Sequence, residues 1–181
     1  QELKGKHYRY RRGYKNVINK AIELCNNGIN CPLAIETSGH AALKENYFLD
    51  DGAYLVTKIV IELAKGNDFS KMLSALKVPA EERECRFNIL LDDFKEYGNN
   101  IIKELESFAL SHPEEYKIAD DNREGIRIST KNGWFLLRMS VHDPVMPMNF
   151  ESNVAGGIDE DISKIKDFFK KYEHLDCSAL Y

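Results

Sequence analysis

Two hydrophobic periods alternate along this chain. In residues 14–26, Val17, Ile18, Ala21, Ile22 and Cys25 recur at spacings of three and four. That is the pattern of an amphipathic helix, and Gly28 supplies its stop. Residues 32–35 are short, apolar and bounded by polar residues, which predicts a buried strand running into a loop over residues 36–40. Asp50 or Asp51 can cap the next helix, whose buried stripe is read as Leu55, Ile59, Val60 and Leu63, with Gly66 as its end. A second short helix is predicted over residues 69–76. Pro79 and the charged run Glu81, Glu82, Arg83, Glu84 then mark a domain boundary between residues 79 and 80.

Beyond that boundary the pattern changes. Residues 85–91 read as a strand, and Phe94, Tyr97, Ile101, Ile102, Leu105 and Phe108 as the face of a long helix. Residues 126–130 alternate apolar and polar positions, Asn132-Gly133 is a strong hairpin turn, and residues 134–139 return as the partner strand. Residues 145–151 form a further strand. Pro144 and Pro147 predict an edge position or an irregular start for it. Residues 159–172 close the chain as a helix with Ile162, Ile165, Phe168, Phe169 and Tyr172 inward. The expected fold class is mixed: an incomplete α/β domain over residues 1–79, then a small α+β domain over residues 80–181 with a mainly antiparallel sheet flanked by helices.

Composition narrows the function. The chain has 181 residues, 43% hydrophobic and 30% charged, an ordinary globular balance. No apolar run reaches the ~20 residues of a membrane helix, so no membrane partner is expected. Six bases (Lys4, Lys6, Arg9, Arg11, Arg12, Lys15) crowd the start, interleaved with Tyr8, Tyr10 and Tyr14. Setting these six and Glu2 aside, the 25 basic and 29 acidic residues become 19 and 28, a balance of −9. That disfavours general nucleic-acid binding, although the run from His7 to Lys15 has the aromatic and basic mixture such binding uses. The four cysteines form no C-x-x-C pair, which predicts reduced thiols and a cytoplasmic setting. No Met and no signal-type segment open the chain at Gln1. A start inside a longer protein, a tag scar or processing would each produce that.

Two loops carry candidate chemistry. In the 138–144 loop, Arg138 can offer a planar fork to two phosphate oxygens, Ser140 a hydroxyl and His142 an imidazole N–H. A dianionic ligand needs this mixture. The same residues also fit a plain turn closed by an Arg138–Asp143 ion pair, the commoner fate of charged loop residues. In the 36–40 loop, Glu36 can accept hydrogen bonds from sugar hydroxyls and Ser38 can accept or donate. Gly39 permits close backbone approach, and His40 can donate or transfer a proton. A polar strand-to-loop junction is the alternative. Asp50-Asp51, Asp120-Asp121 and Asp159-Glu160-Asp161 lack metal-ligand spacing, so no metal site is expected.

Three segments together resemble the α-D-phosphohexomutases, particularly bacterial phosphoglucomutase/phosphomannomutase enzymes. Glu36-Thr37-Ser38-Gly39-His40 is similar to that family's G-E-x-S-G-H loop, with Ile35 at the first Gly. Asp50-Asp51-Gly52-Ala53-Tyr54 is similar to its D-D-G-x-Y helix start, and Arg138-Met139-Ser140-Val141-His142-Asp143-Pro144 to its R-x-S-x-T-E-P phosphate loop. The resemblance spans most of the chain and implies the end of a third domain followed by a fourth. It implies sugar-hydroxyl contacts at Glu36, Ser38 and His40, and contacts to the non-transferred phosphate at Arg138, Ser140 and His142. It also implies a hexose 1-phosphate/6-phosphate mutase using a phosphoserine, Mg²⁺ and a hexose 1,6-bisphosphate intermediate.

The sequence departs from the family at several points. His142 replaces Thr, Asp143 replaces Glu, Val141 stands where a polar residue is frequent, and Gly13-Tyr14-Lys15 stands where some members have G-H-S. The serine loop and the D-G-D-x-D-R metal loop are absent from these 181 residues. No catalytic residue and no Mg²⁺ ligand is therefore expected here, and the isolated chain is expected to be inactive without upstream domains of the same protein. A non-catalytic sugar-phosphate-binding relative and a nucleic-acid-binding module are the competing functions.

Overall fold

The computed structural model describes residues 5–120, 122–140 and 142–181. Lys4 of the basic run, Asp121 of the acidic pair and Val141 of the phosphate-type loop lie outside the described residues. The chain divides into two compact units, Gln1–Leu76 and Lys77–Tyr181.

In the first unit, α1 (Tyr14–Asn26) buries Ala21 and Leu24. Ala21 meets Ala34 and Ala42 in a small cluster flanked by Val17, Ile18, Cys31 and Phe48. Strands β1 (Leu33–Ile35) and β2 (Ala41–Leu43) pair antiparallel across the 36–40 loop, Ile35 opposite Ala41. β2 was not foreseen, because Ala-Ala-Leu has no alternation. Next come α2 (Gly52–Ala64) and the short α3 (Phe69–Leu73), which stops before the predicted Leu76. Asp51, not Asp50, is the α2 cap: its carboxylate accepts the Tyr54 N–H at 2.9 Å.

The expected buried stripe of α2 is not buried. No α2 residue is buried, and Ile59, Val60 and Leu63 are 41%, 55% and 51% exposed. Among the described residues the unit has a two-stranded sheet, and that is too little surface to cover such a helix.

The second unit is a six-stranded antiparallel sheet in the order β4-β5-β6-β7-β3-β8. Its strands are β3 (Glu81–Ile89), β4 (Lys117–Ile118), β5 (Ile126–Ser129), β6 (Gly133–Leu137), β7 (Val145–Ser152) and β8 (Leu175–Asp176). Two helices, α4 (Phe94–Leu110) and α5 (Gly157–Phe169), cover one face. Phe87, Phe135, Phe150 and Phe169 are fully buried there, each contributing roughly 1.5–3 kcal/mol of transfer free energy. The charged run read as a boundary is the first half of β3. There Glu81 caps α5, its carboxylate accepting the Gly156 and Ile158 N–H groups at 2.7 and 3.2 Å. The two-residue strands β4 and β8 are too short to show a period.

β7 is interior, not at the edge as its prolines predicted. In an antiparallel ladder a residue's N–H and C=O face the same neighbour. The Pro147 carbonyl accepts from Arg138 N–H at 3.1 Å, just past the end of β6. The missing donor of Pro147 therefore falls where the β6 ladder ends, and the β3 side loses nothing. Pro144 precedes the strand, and Val145 N–H bonds Asp143 C=O at 2.7 Å, a tight and irregular entry.

Candidate functional site

Within the first unit, the 36–40 loop is closed by its own backbone. Glu36 N–H donates to the His40 carbonyl and Gly39 N–H to the Glu36 carbonyl, both at 2.9 Å. Gly39 sits at φ +92°, a conformation that L side chains rarely adopt. The half-buried Glu36 carboxylate accepts from Gly13 N–H at 3.0 Å and from the Ser38 hydroxyl at 3.2 Å. Glu36 and Ser38 are thus brought together, with their acceptor atoms partly engaged before any ligand arrives.

His40 is exposed at the end of this loop. Its Nδ1 lies 2.7 Å from Asp50 Oδ2, and its ring stacks on Tyr14 with centroids 4.9 Å apart and planes 23° apart. The carboxylate favours the Nδ1–H tautomer, which leaves Nε2 as the acceptor of a neutral ring or a donor of a charged one. Sequence reasoning cast Asp50 only as a possible helix cap. The signal was there: two adjacent acids precede one helix, and only one can be its cap. The basic run ahead of α1 folds over Lys20, whose ammonium lies 5.7 and 5.6 Å from the ring centroids of Tyr8 and Tyr10.

In the second unit the helices cover one sheet face, and the other carries a patterned set of polar residues. Arg138 N–H bonds Pro147 C=O at 3.1 Å and Ser140 N–H bonds Val145 C=O at 2.8 Å. The β6–β7 register therefore continues past Leu137. Side chains two apart share a face, so Trp134, Leu136, Arg138 and Ser140 all lie on the helix-free side. Arg138 is half-buried, with its Nε inaccessible to solvent.

Two glycines fix this strand end. A Cβ on Gly98 of α4 would lie 2.0 Å from Met139 Sδ, and one on Gly125 would lie 2.0 Å from the Leu137 carbonyl oxygen and 2.6 Å from Arg138 Cα. At Gly125, where φ is +70° and the neighbours are backbone atoms, only glycine fits; at Gly98 the neighbour is the flexible end of Met139. Ser140 Oγ accepts from Asp143 N–H at 3.3 Å and lies 3.5 Å from Asp143 Oδ2. His142 is exposed in the loop. Arg138 and Ser140 thus come onto one face, with His142 beyond it at the turn.

The same face continues onto β3. Leu136 pairs with Asn149 and Asn149 with Glu84, while Pro147 pairs with Arg86. Glu84 accepts from the Asn149 amide at 2.9 Å and from Arg86 Nε at 2.8 Å. The Asn149 bond first, then Arg86 and the Arg138 charge, hold the Glu84 carboxyl below the usual glutamate range. On β6, Trp134 donates to Glu151 at 3.0 Å and lies under the Arg127 guanidinium at 4.4 Å.

Among the described residues, no group of three or more His, Cys, Asp or Glu could hold a metal ion. The Mg²⁺ that the sequence resemblance implies does not fit these residues. The cysteines Cys25, Cys31, Cys85 and Cys177 are free. Among the described residues no helix is long and apolar enough to cross a membrane.

Comparison with known proteins gives the same direction from both units. Residues 1–78 match the family model for phosphoglucomutase/phosphomannomutase, alpha/beta/alpha domain III. The chain is 30% identical over 139 residues to a phosphomannomutase/phosphoglucomutase of Pseudomonas putida, covering 76% of this chain and 28% of that protein. It is 27% identical over 146 residues to a phosphoglucomutase of Neisseria gonorrhoeae, covering 79% of this chain and 30% of that one. A crystal structure of a phosphoglucomutase/phosphomannomutase family protein from Burkholderia thailandensis aligns with TM-score 0.65 and 25% identity, over 92% of this chain and 33% of that one. The chain therefore spans under a third of the length of the curated relatives it matches.

Proposed function

We propose that the chain is a partial region of a phosphoglucomutase/phosphomannomutase family enzyme, a reading supported by the match of residues 1–78 and by the similar relatives, and that it supplies substrate contacts for interconverting a hexose 1-phosphate and a hexose 6-phosphate. In this reading Arg138 and Ser140, with His142 beside them, grip the phosphate that is not being transferred. Glu36, Ser38 and His40 meet sugar hydroxyls. The phosphoserine, the Mg²⁺ and the hexose bisphosphate intermediate belong to the whole enzyme, whose remaining domains are the partners of this region. The four free thiols support a cytoplasmic setting.

One observation carries the phosphate assignment: the β6–β7 register runs on past its strand and sets Arg138 and Ser140 on the same helix-free face. A guanidinium whose Nε is already desolvated loses less on binding an oxyanion, and charge-assisted donors are the strong ones. Phosphoryl transfer depends mostly on positioning and charge neutralisation. An anchor at the non-reacting phosphate is therefore a useful task for a region without the reacting groups.

The test is a titration of the 181-residue chain with inorganic phosphate, read from the amide resonances of residues 138–143 and 145. The wild type should show saturable shifts. Arg138→Ala should weaken binding about 10–100-fold, the value of a lost charge-assisted pair. Unchanged binding in that variant would remove the assignment. In a coupled mutase assay the isolated chain should give no turnover, and clear turnover would refute the division of labour.

A further inference from the structure

The polar face around the 138–144 loop extends beyond the loop itself. Arg86 stands on β3, directly opposite Pro147, while Pro147 receives the N–H of Arg138 on its other side. The three residues form one row across three strands, with all side chains on the helix-free face. Two strand spacings put Arg138 and Arg86 backbones ~10 Å apart, a gap that two arginine side chains can close around a tetrahedral anion. Ser140 lies one row further along, opposite Val145, which pairs with Asn88 of β3.

Arg86 is also aimed. Its Nε donates to Glu84 Oε1 at 2.8 Å, and Glu84 is itself held through Oε2 by the Asn149 amide at 2.9 Å. A guanidinium bound by Nε keeps both Nη groups for another acceptor. With its side chain 67% exposed, Arg86 is open to a ligand. A surface ion pair alone contributes little to stability, so the Asn149–Glu84–Arg86 chain is better explained as orientation than as a staple.

We infer that Arg86 is a second guanidinium contact for the ligand phosphate, positioned by Glu84 and working beside Arg138. This rests on the phosphate assignment above.

The same phosphate titration tests it, with Arg86→Gln and Arg86→Lys as variants and thermal melting as a check that the fold is kept. Arg86→Gln should weaken phosphate binding about tenfold, as for one lost charge-assisted contact. It should also flatten the salt dependence, because fewer charges meet the anion. Arg86→Lys, which keeps the charge but not the fork, should recover part of the loss. If Arg138→Ala loses binding while Arg86→Gln binds phosphate like the wild type, the inference about Arg86 falls and the phosphate site stands. If the wild-type chain binds no phosphate, or Arg138→Ala binds as well as the wild type, both fall together.

Discussion

The two units of this chain use similar amounts of apolar sequence in opposite ways. The second closes on itself. Six strands and two helices bury four phenylalanines and a continuous aliphatic core, leaving one open sheet face for polar work. The first gathers a cluster of three alanines around a two-stranded sheet. Meanwhile α2 keeps Val56, Ile59, Val60, Ile61 and Leu63 exposed. A helix that is apolar on most sides is the kind normally buried. Apolarity therefore predicts that a segment seeks cover, and the elements packed around it decide whether it finds cover.

The sharpest way to break this comparison is to cut both surfaces. Phe135→Ala should cost ~3–5 kcal/mol, the usual range for emptying a core aromatic site. Trp134 is the only tryptophan, so its fluorescence in a urea melt reports the second unit directly. Val60→Ser on α2, followed by hydrogen exchange of the α2 amides because Trp134 lies in the other unit, should cost under ~0.5 kcal/mol, as exposed substitutions do. A cost from Val60→Ser approaching that of Phe135→Ala would mean that the α2 face is covered in solution.

A smaller effect tests what holds the first unit's helix. Asp51→Ala removes the cap that accepts Tyr54 N–H and should cost ~1 kcal/mol. Hydrogen exchange in the first turn of α2 should accelerate while the second unit is unchanged. Asp50→Ala should spare the cap and disturb the His40 ring instead. If both substitutions fray α2 equally, the separate roles of the two acids are wrong.

The smallest effect sits in the second unit. Burial pushes the Asp161 carboxyl up from its ordinary range, although Thr130 donates to it at 2.8 Å. An acid whose folded pKa is raised binds its proton longer in the folded state. Its ionised form is therefore carried at a cost at neutral pH, and the cost fades as pH falls through the raised value. Asp161→Asn should raise the melting temperature at neutral pH by ~1–3 °C. That gain should shrink toward the ordinary aspartate range, as melts across that window would reveal. A gain that persists at low pH would assign the effect to packing.

Much of the fold was legible because long elements carry long periods. Val17 to Cys25 mark α1 from end to end, and Phe94 to Phe108 mark α4. Asn132-Gly133 announces the β5–β6 hairpin by turn chemistry alone. Illegible were the pieces whose cause lies elsewhere in the chain. β4 and β8 have two residues each, and β2 is Ala-Ala-Leu, so none carries a period. Pro147 looked like an edge residue because its missing donor is a local fact. Where β6 ends, which makes the proline harmless inside a sheet, is not.

The candidate sites divide the same way. Glu36 with Ser38, and Arg138 with Ser140, could be named from residue chemistry at loop spacing. Asp50 beside His40, Tyr14 stacked on it, Gly13 donating to Glu36, and Arg86 in the same row as Arg138 are neighbours only after strands pair and helices dock.

The sequence by itself determined which segments are helical, which turns are tight, and which side chains can hold a proton or an anion. Those properties depend on a residue and its near neighbours. Tertiary structure alone decided which face of each strand meets solvent, which of two adjacent aspartates caps a helix, and whether an apolar helix is covered. Each of those requires groups far apart in the chain to meet, and no local pattern encodes the partner.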